Sequence, residues 1–120
     1  MRAKTVAILA SALIGWSAPL HAGDAWTDAT EALDRYDHAR ALTALRTAAT
    51  AGHPRAQEII AFMLWHGETL YPGVPANRAE ALEWFGAAAQ SGSPVALHLL
   101  RNWARNGSNE AARTLALIRP

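Results

Sequence analysis

Side chains able to do chemistry are few in this chain, and none stand in a catalytic pattern. Cysteine is absent from the 120 residues, which excludes a thiolate nucleophile, a thiolate metal site, a disulfide framework and a lipid-modified cysteine anchor. His38, His53, His66 and His98 follow the N-terminal segment, and no two share a helix face at the spacing a metal needs. His53 reads as a turn residue, His66 as a helix-end residue where positive charge is favoured, and His38 and His98 as surface positions. The expectation is no metal and no cofactor. Glu80 and Glu83 share one predicted helix, and Asp28 and Glu31 another. Paired-carboxylate hydrolysis needs one acid kept protonated at a fixed distance from the other, whereas acids near a helix start are ordinarily solvated and stabilised by the helix dipole. Asp28-Ala29-Thr30-Glu31 has instead the spacing of a capping box. The serines lack a nucleophile elbow, and no glycine-rich phosphate loop is present. No catalytic residue is assigned, and the chain reads as a binding protein rather than an enzyme.

Any binding surface must be carried by helices, because the apolar residues recur at helical spacing and no stretch reads as a strand. Gly52-His53-Pro54 and Gly92-Ser93-Pro94 each place a glycine, one linker residue and a proline in a row. Glycine suits the left-handed residue that closes a helix, and proline the first position of the next. Ser93 can also accept a hydrogen bond from the new helix's free amides. Between these breaks the spacing predicts helices over His38–Ala51, Pro54–His66, Asn77–Ser91 and Pro94–Asn106. A short first helix is expected over Ala25–Arg35, and a last one over Asn109–Ile118 behind Ser108 as its cap. Trp84 and Phe85 are expected in the core.

Residues 37–67 written over residues 77–107 match at nine of 31 positions without a gap, among them Ala41/Ala81, Leu42/Leu82, Ala48/Ala88, Gly52/Gly92, Pro54/Pro94 and Gly67/Gly107. The matched residues are small, apolar or turn-forming. A period of 40 residues points to a solenoid of stacked supersecondary units. Alanine at the shared positions lets helix backbones approach closely.

Residues 1–22 read as an export signal. Arg2 and Lys4 are followed by an uncharged run of 12 residues, Thr5 to Trp16, then Pro19 and the small-residue site Leu20-His21-Ala22. The run is shorter than the roughly 20 apolar residues of a spanning helix. Cleavage after Ala22, with Ala25 as the alternative, would leave a domain of residues 23–120 with no membrane insertion, in the periplasm or secreted. Loss of Arg2 and Lys4 leaves nine arginines, no lysine and ten acids, a formal charge of −1. That is not the basic footprint of a nucleic-acid binder. Without disulfides the core must hold the fold unaided, and a chain of this size buries only about 60–65% of its unfolded surface.

Gly73 to Gly92, GVPANRAEALEWFGAAAQSG, resembles the second half of a Sel-one-like repeat, a branch of the tetratricopeptide-like α-solenoids. The carrying residues are Gly73-Val74, Ala81, Trp84-Phe85, Ala88-Ala89 and Gly92, preceded by Ala56-Gln57, Ile60, Ala61, Met63 and Gly67. Tyr36 with Ala39 resembles the helix-turn-helix pattern of the wider superfamily. The match is most specific over residues 54–92 and fades toward both ends. Glu68 to Pro72 lengthens one inter-helix loop, and Arg101 replaces the small residue that Ala61 supplies, which predicts looser packing of the last helices. The resemblance implies an all-α fold, an α-solenoid of about three antiparallel helix hairpins, incomplete at both ends.

The resemblance also implies a binding face, because the first helix of each pair lines the concave side of such folds. The outward positions are then Arg55, Glu58, Phe62 and Trp65, followed by Val95, His98, Asn102 and Arg105. Aromatic and arginine side chains dominate the energy of protein contacts. Phe62 and Trp65 are equally suited to the core, and Tyr71 either folds over the groove mouth or covers Trp65. The expected function is an exported adaptor that binds a protein or peptide. A cell-wall or antibiotic-modifying hydrolase and a weakly self-associating structural module are the alternatives.

Overall fold

Four short turns decide where the helices begin and end. In each, a residue in the left-handed conformation is followed by one that caps the next helix. Tyr36, Gly52, Gly92 and Gly107 hold the left-handed position with φ of 58°, 95°, 101° and 101°. The next residue donates its amide five positions back: Asp37 to Ala32, His53 to Ala48, Ser93 to Ala88 and Ser108 to Trp103, all at 2.9–3.0 Å. The same residue then accepts from the amide three positions on, at 3.1–3.2 Å, through Asp37 Oδ1, His53 Nδ1, Ser93 Oγ and Ser108 Oγ. Each turn thus answers the open carbonyls of one helix and the open amides of the next.

This computed structural model describes residues 22–119, so the export signal read at residues 1–22 lies almost wholly outside the described residues. The described residues are all-helical, with no strand. The helices are α1 (Ala22–Asp34), α2 (His38–Thr50), α3 (Pro54–His66), α4 (Arg78–Gln90), α5 (Pro94–Arg105) and α6 (Asn109–Leu117), with a 3-10 turn at Gly67–Thr69. Each helix packs chiefly on its neighbours in the chain. The expected bounds hold to within one residue for α2 to α6. The first helix starts three residues earlier than its spacing suggests, so Asp28 lies in its middle and forms no capping box. The Asp28 carboxylate instead pairs with Arg40 on α2.

The core is largely alanine. Ala25, Ala29 and Ala32 of α1 meet α2 through Ala41, Ala44, Leu45 and Ala48, all buried. Burial recurs 40 residues apart, with Ala41/Ala81, Leu45/Phe85, Ala48/Ala88, Ala56/Ala96 and Ile60/Leu100. Trp84, expected in the core, is half-buried, its indole nitrogen donating to Glu80.

Polar side chains pin α3 to the turn before α5. Gln57, only 6% exposed, donates to the Ala49 carbonyl at 3.2 Å and accepts from Ser91 Oγ at 2.9 Å. Glu58 accepts from Ser93 Oγ at 2.6 Å and from Arg55 at 2.7 Å. A buried amide satisfied at both ends fixes register, whereas one left unpaired would destabilise it.

The long connection between α3 and α4 is a packed loop. Val74 is fully buried, and the Asn77 amide returns to the Leu64 carbonyl at 2.8 Å before its side chain caps α4. Tyr71 meets His38 of α2 edge-on at 5.5 Å. Gly67 makes this return feasible. A Cβ there would lie 2.5–2.7 Å from Ala76 Cβ, N and Cα. Gly52→Ala meets open space and should cost only the left-handed strain, about 1 kcal/mol. Gly67→Ala adds a backbone clash and should cost about 3 kcal/mol. Urea denaturation of the two variants checks this; equal costs would mean that the close approach at Ala76 does not demand glycine.

Candidate functional site

The carboxylates weighed for catalysis do not form a pair. Glu80 is engaged by Arg46 of α2 and by Trp84 Nε1 at 3.1 Å, while Glu83 is exposed one turn on. The Arg46 guanidinium holds the Glu80 carboxyl below its ordinary range, the Trp84 indole assists, and partial burial opposes both. A general acid needs the opposite shift. The four histidines are also dispersed. His53 caps α3 and stacks on Trp26 at 4.4 Å, and His38 is half-buried against Tyr71. His66 ends α3 and His98 is exposed on α5. Among the described residues no three His, Asp or Glu side chains stand where they could hold a metal ion.

The concave-face residues divide into two groups. Phe62 and Trp65 are half-buried and turn onto one aromatic cluster. Phe62 meets Phe85 edge-on at 5.0 Å, and Trp65 stacks on Trp103 at 4.3 Å with the rings 9° apart. Arg78 lies over the Trp65 ring at 4.5 Å. Arg78 and Trp103 lie against Trp65, while Tyr71 meets His38. Glu58 is taken up by Ser93, and exposed Arg55 by Glu58. Asn102 is half-buried and accepts from Asn106 at 3.4 Å, while Val95 is 48% exposed.

His98 and Arg105 belong instead to an open cleft of about 650 Å³ between α5 and α6, lined by Pro94, Leu97, His98, Arg101, Ala104, Arg105 and Leu115. Ile118 extends its apolar floor. Forty residues earlier the same seam is closed. Gln57, Ala61 and Leu64, the counterparts of Leu97, Arg101 and Ala104, are buried. There the turn between α4 and α5 covers α3, with Ser91 and Ser93 hydrogen-bonded to Gln57 and Glu58. Arg101 cannot be buried as Ala61 is, since an unpaired charge in an apolar seam is costly. It therefore lies at the cleft rim with the seam open, as the substitution implied. Arg101 and Arg105 make no ion pair among the described residues, and no acid lines the cleft.

Arg101 lines this cleft and is not among the outward positions that the resemblance implies. Its exchange with Ala61 is the one mark it carries in the sequence. Comparison with protein-family models, with curated proteins and with solved structures finds no match to this chain.

The Arg46–Glu80 pair joins α2 to α4 and carries a pH dependence. Because the folded-state pKa of Glu80 is the lower one, its contribution is present above the ordinary carboxyl value near 4.5 and is lost as pH falls through the depressed value. The pair is partly solvent-exposed, with side-chain exposures of 44% and 26%, so its worth is at most about 1 kcal/mol. Glu80→Gln should be less stable than wild type at neutral pH and equal to it in strong acid. Urea midpoints measured across pH check this, and a difference that stays constant would remove the linkage.

Proposed function

We propose that the protein is an exported protein-interaction module, an α-solenoid of three hairpins (α1–α2, α3–α4 and α5–α6) of the Sel-one-like type. The α5–α6 cleft receives an acidic peptide segment with an apolar or aromatic anchor. The observation that carries this reading is the cleft's composition: an apolar floor of Leu97, Ala104 and Leu115 under a rim of His98, Arg101 and Arg105 without a neighbouring acid. Guanidinium groups bind carboxylates through paired donors and also stack on aromatic faces. An anchor residue on the floor supplies affinity, while the rim supplies orientation and selects against basic segments. The equivalent seam around α3 is closed by the chain itself, which supports reading the α5–α6 seam as a surface meant to be covered.

Export accords with the position of α1. Cleavage after Ala22 leaves Ala25, which is fully buried, in the core, whereas cleavage after Ala25 would remove it. No helix among the described residues is long and apolar enough to cross a membrane.

The test uses a fluorescently labelled synthetic peptide with a tyrosine flanked by aspartates, titrated with the purified protein. Binding should weaken with added salt, and Arg101→Glu/Arg105→Glu should weaken it by at least about tenfold, the equivalent of 1.4 kcal/mol. A control peptide with lysines in place of the aspartates should not bind. Equal affinity of wild type and variant would refute the cleft as the binding site.

A further inference from the structure

The chain itself carries a segment with the chemistry this cleft accepts, so this inference rests on the peptide-binding reading above. Three of the four capped turns use glycine at the left-handed position, and the first uses Tyr36. A bulky side chain in that conformation is strained. Strain kept where three sister turns avoid it points to a task for the side chain. Folding does not supply that task, because Tyr36 is 81% exposed and meets only the edge of His38, at 6.3 Å between ring centres. Arg35 and Asp37 flank it, Asp34 precedes it by two residues and Glu31 by five, all of them exposed, so the turn sets three carboxylates against the one guanidinium of Arg35. The rest of α1 is acidic too, with Asp24 and Asp28. From Pro94 onward the chain has the reverse balance, with Arg101, Arg105, Arg113 and Arg119 against Glu110 alone.

We infer that Tyr36, with Asp34 and Asp37 in the same turn, seats in the α5–α6 cleft of a second copy of this chain. The ring lies on Leu97, Ala104 and Leu115, and the carboxylates meet Arg101 and Arg105. The Tyr36 turn joins the first two helices and the cleft lies between the last two, with α3 and α4 packed between them. The seat is therefore filled by another molecule, and each molecule offers one knob and one cleft. Such a heterologous contact does not close on itself in a dimer but continues from copy to copy. Its charged rim makes it sensitive to salt, and tyrosine and arginine are the side chains most often dominant in protein contacts.

Two variants each remove one half of the contact. Tyr36→Gly deletes the knob, keeps the cleft and relieves the left-handed strain, so its melting temperature should equal or exceed that of wild type. Arg101→Glu/Arg105→Glu deletes the cleft and keeps the knob, and both arginines are exposed. In sedimentation velocity the mean mass of wild type should climb with concentration without a plateau and fall back in high salt. Each variant alone should remain a monomer, and an equimolar mixture of the two should form a heterodimer and stop there. A wild type that stays monomeric at every concentration overturns the inference, as does association of wild type with no heterodimer in the mixture. The tyrosine–aspartate peptide separates the two readings. A monomeric wild type that still binds it through Arg101 and Arg105 loses only the self-recognition, and failure of both assays removes the cleft reading with it.

Discussion

Every helix here has at least one end set by the same local exchange. The helices run from nine to 13 residues, a length at which an isolated helix is marginal in water. The open amides and carbonyls at the ends are a large fraction of so short an element. Pairing a left-handed residue with a capping side chain satisfies both ends within three residues, and it also turns the chain back on itself. At these four turns the direction of a helix relative to the last is therefore set locally, whereas α4 is directed by the packed loop that follows α3.

Packing then follows from small residues. Alanine faces bring α1 onto α2 and α3 onto α4 at short range, and each small contact contributes in proportion to the apolar area it buries, about 25 cal/mol per Å². The larger residues are concentrated where three helices meet, at Phe62, Trp65, Phe85 and Trp103. Gln57 and Glu58 add polar pins at the one place where α3 approaches the turn before α5. The next hairpin has Leu97 and His98 at those positions and lacks the pins. The cleft is thus the same architecture with its closing parts left out.

Much of the fold was legible in the sequence because turn chemistry is local. Gly52-His53-Pro54 and Gly92-Ser93-Pro94 announced their geometry, and the bounds of five helices followed to within a residue. The start of α1 was less legible, since Asp28-Ala29-Thr30-Glu31 mimics a cap while its acid is used for a tertiary ion pair with Arg40. The first turn was bracketed by the expected helix bounds, but its left-handed residue was not legible, because a tyrosine gives no hint of that backbone. The site was legible only in part. The resemblance puts His98 and Arg105 on an outward face of α5, where they are exposed, but it puts Phe62 and Trp65 on the matching face of α3 without showing the neighbours that occupy them. Those neighbours, Phe85 and Trp103, lie 23 and 38 residues away in the chain, and no local pattern reports a contact of that range.

The stacked indoles of Trp65 and Trp103 connect two helices that are not consecutive, with their rings 4.3 Å apart and nearly parallel. Two chromophores held face to face couple optically, so this pair gives the protein an internal near-ultraviolet circular dichroism signal. That signal reports docking of α3 on α5, separately from the helix content seen at shorter wavelengths. The molecule carries its own gauge of whether its units are assembled or merely helical.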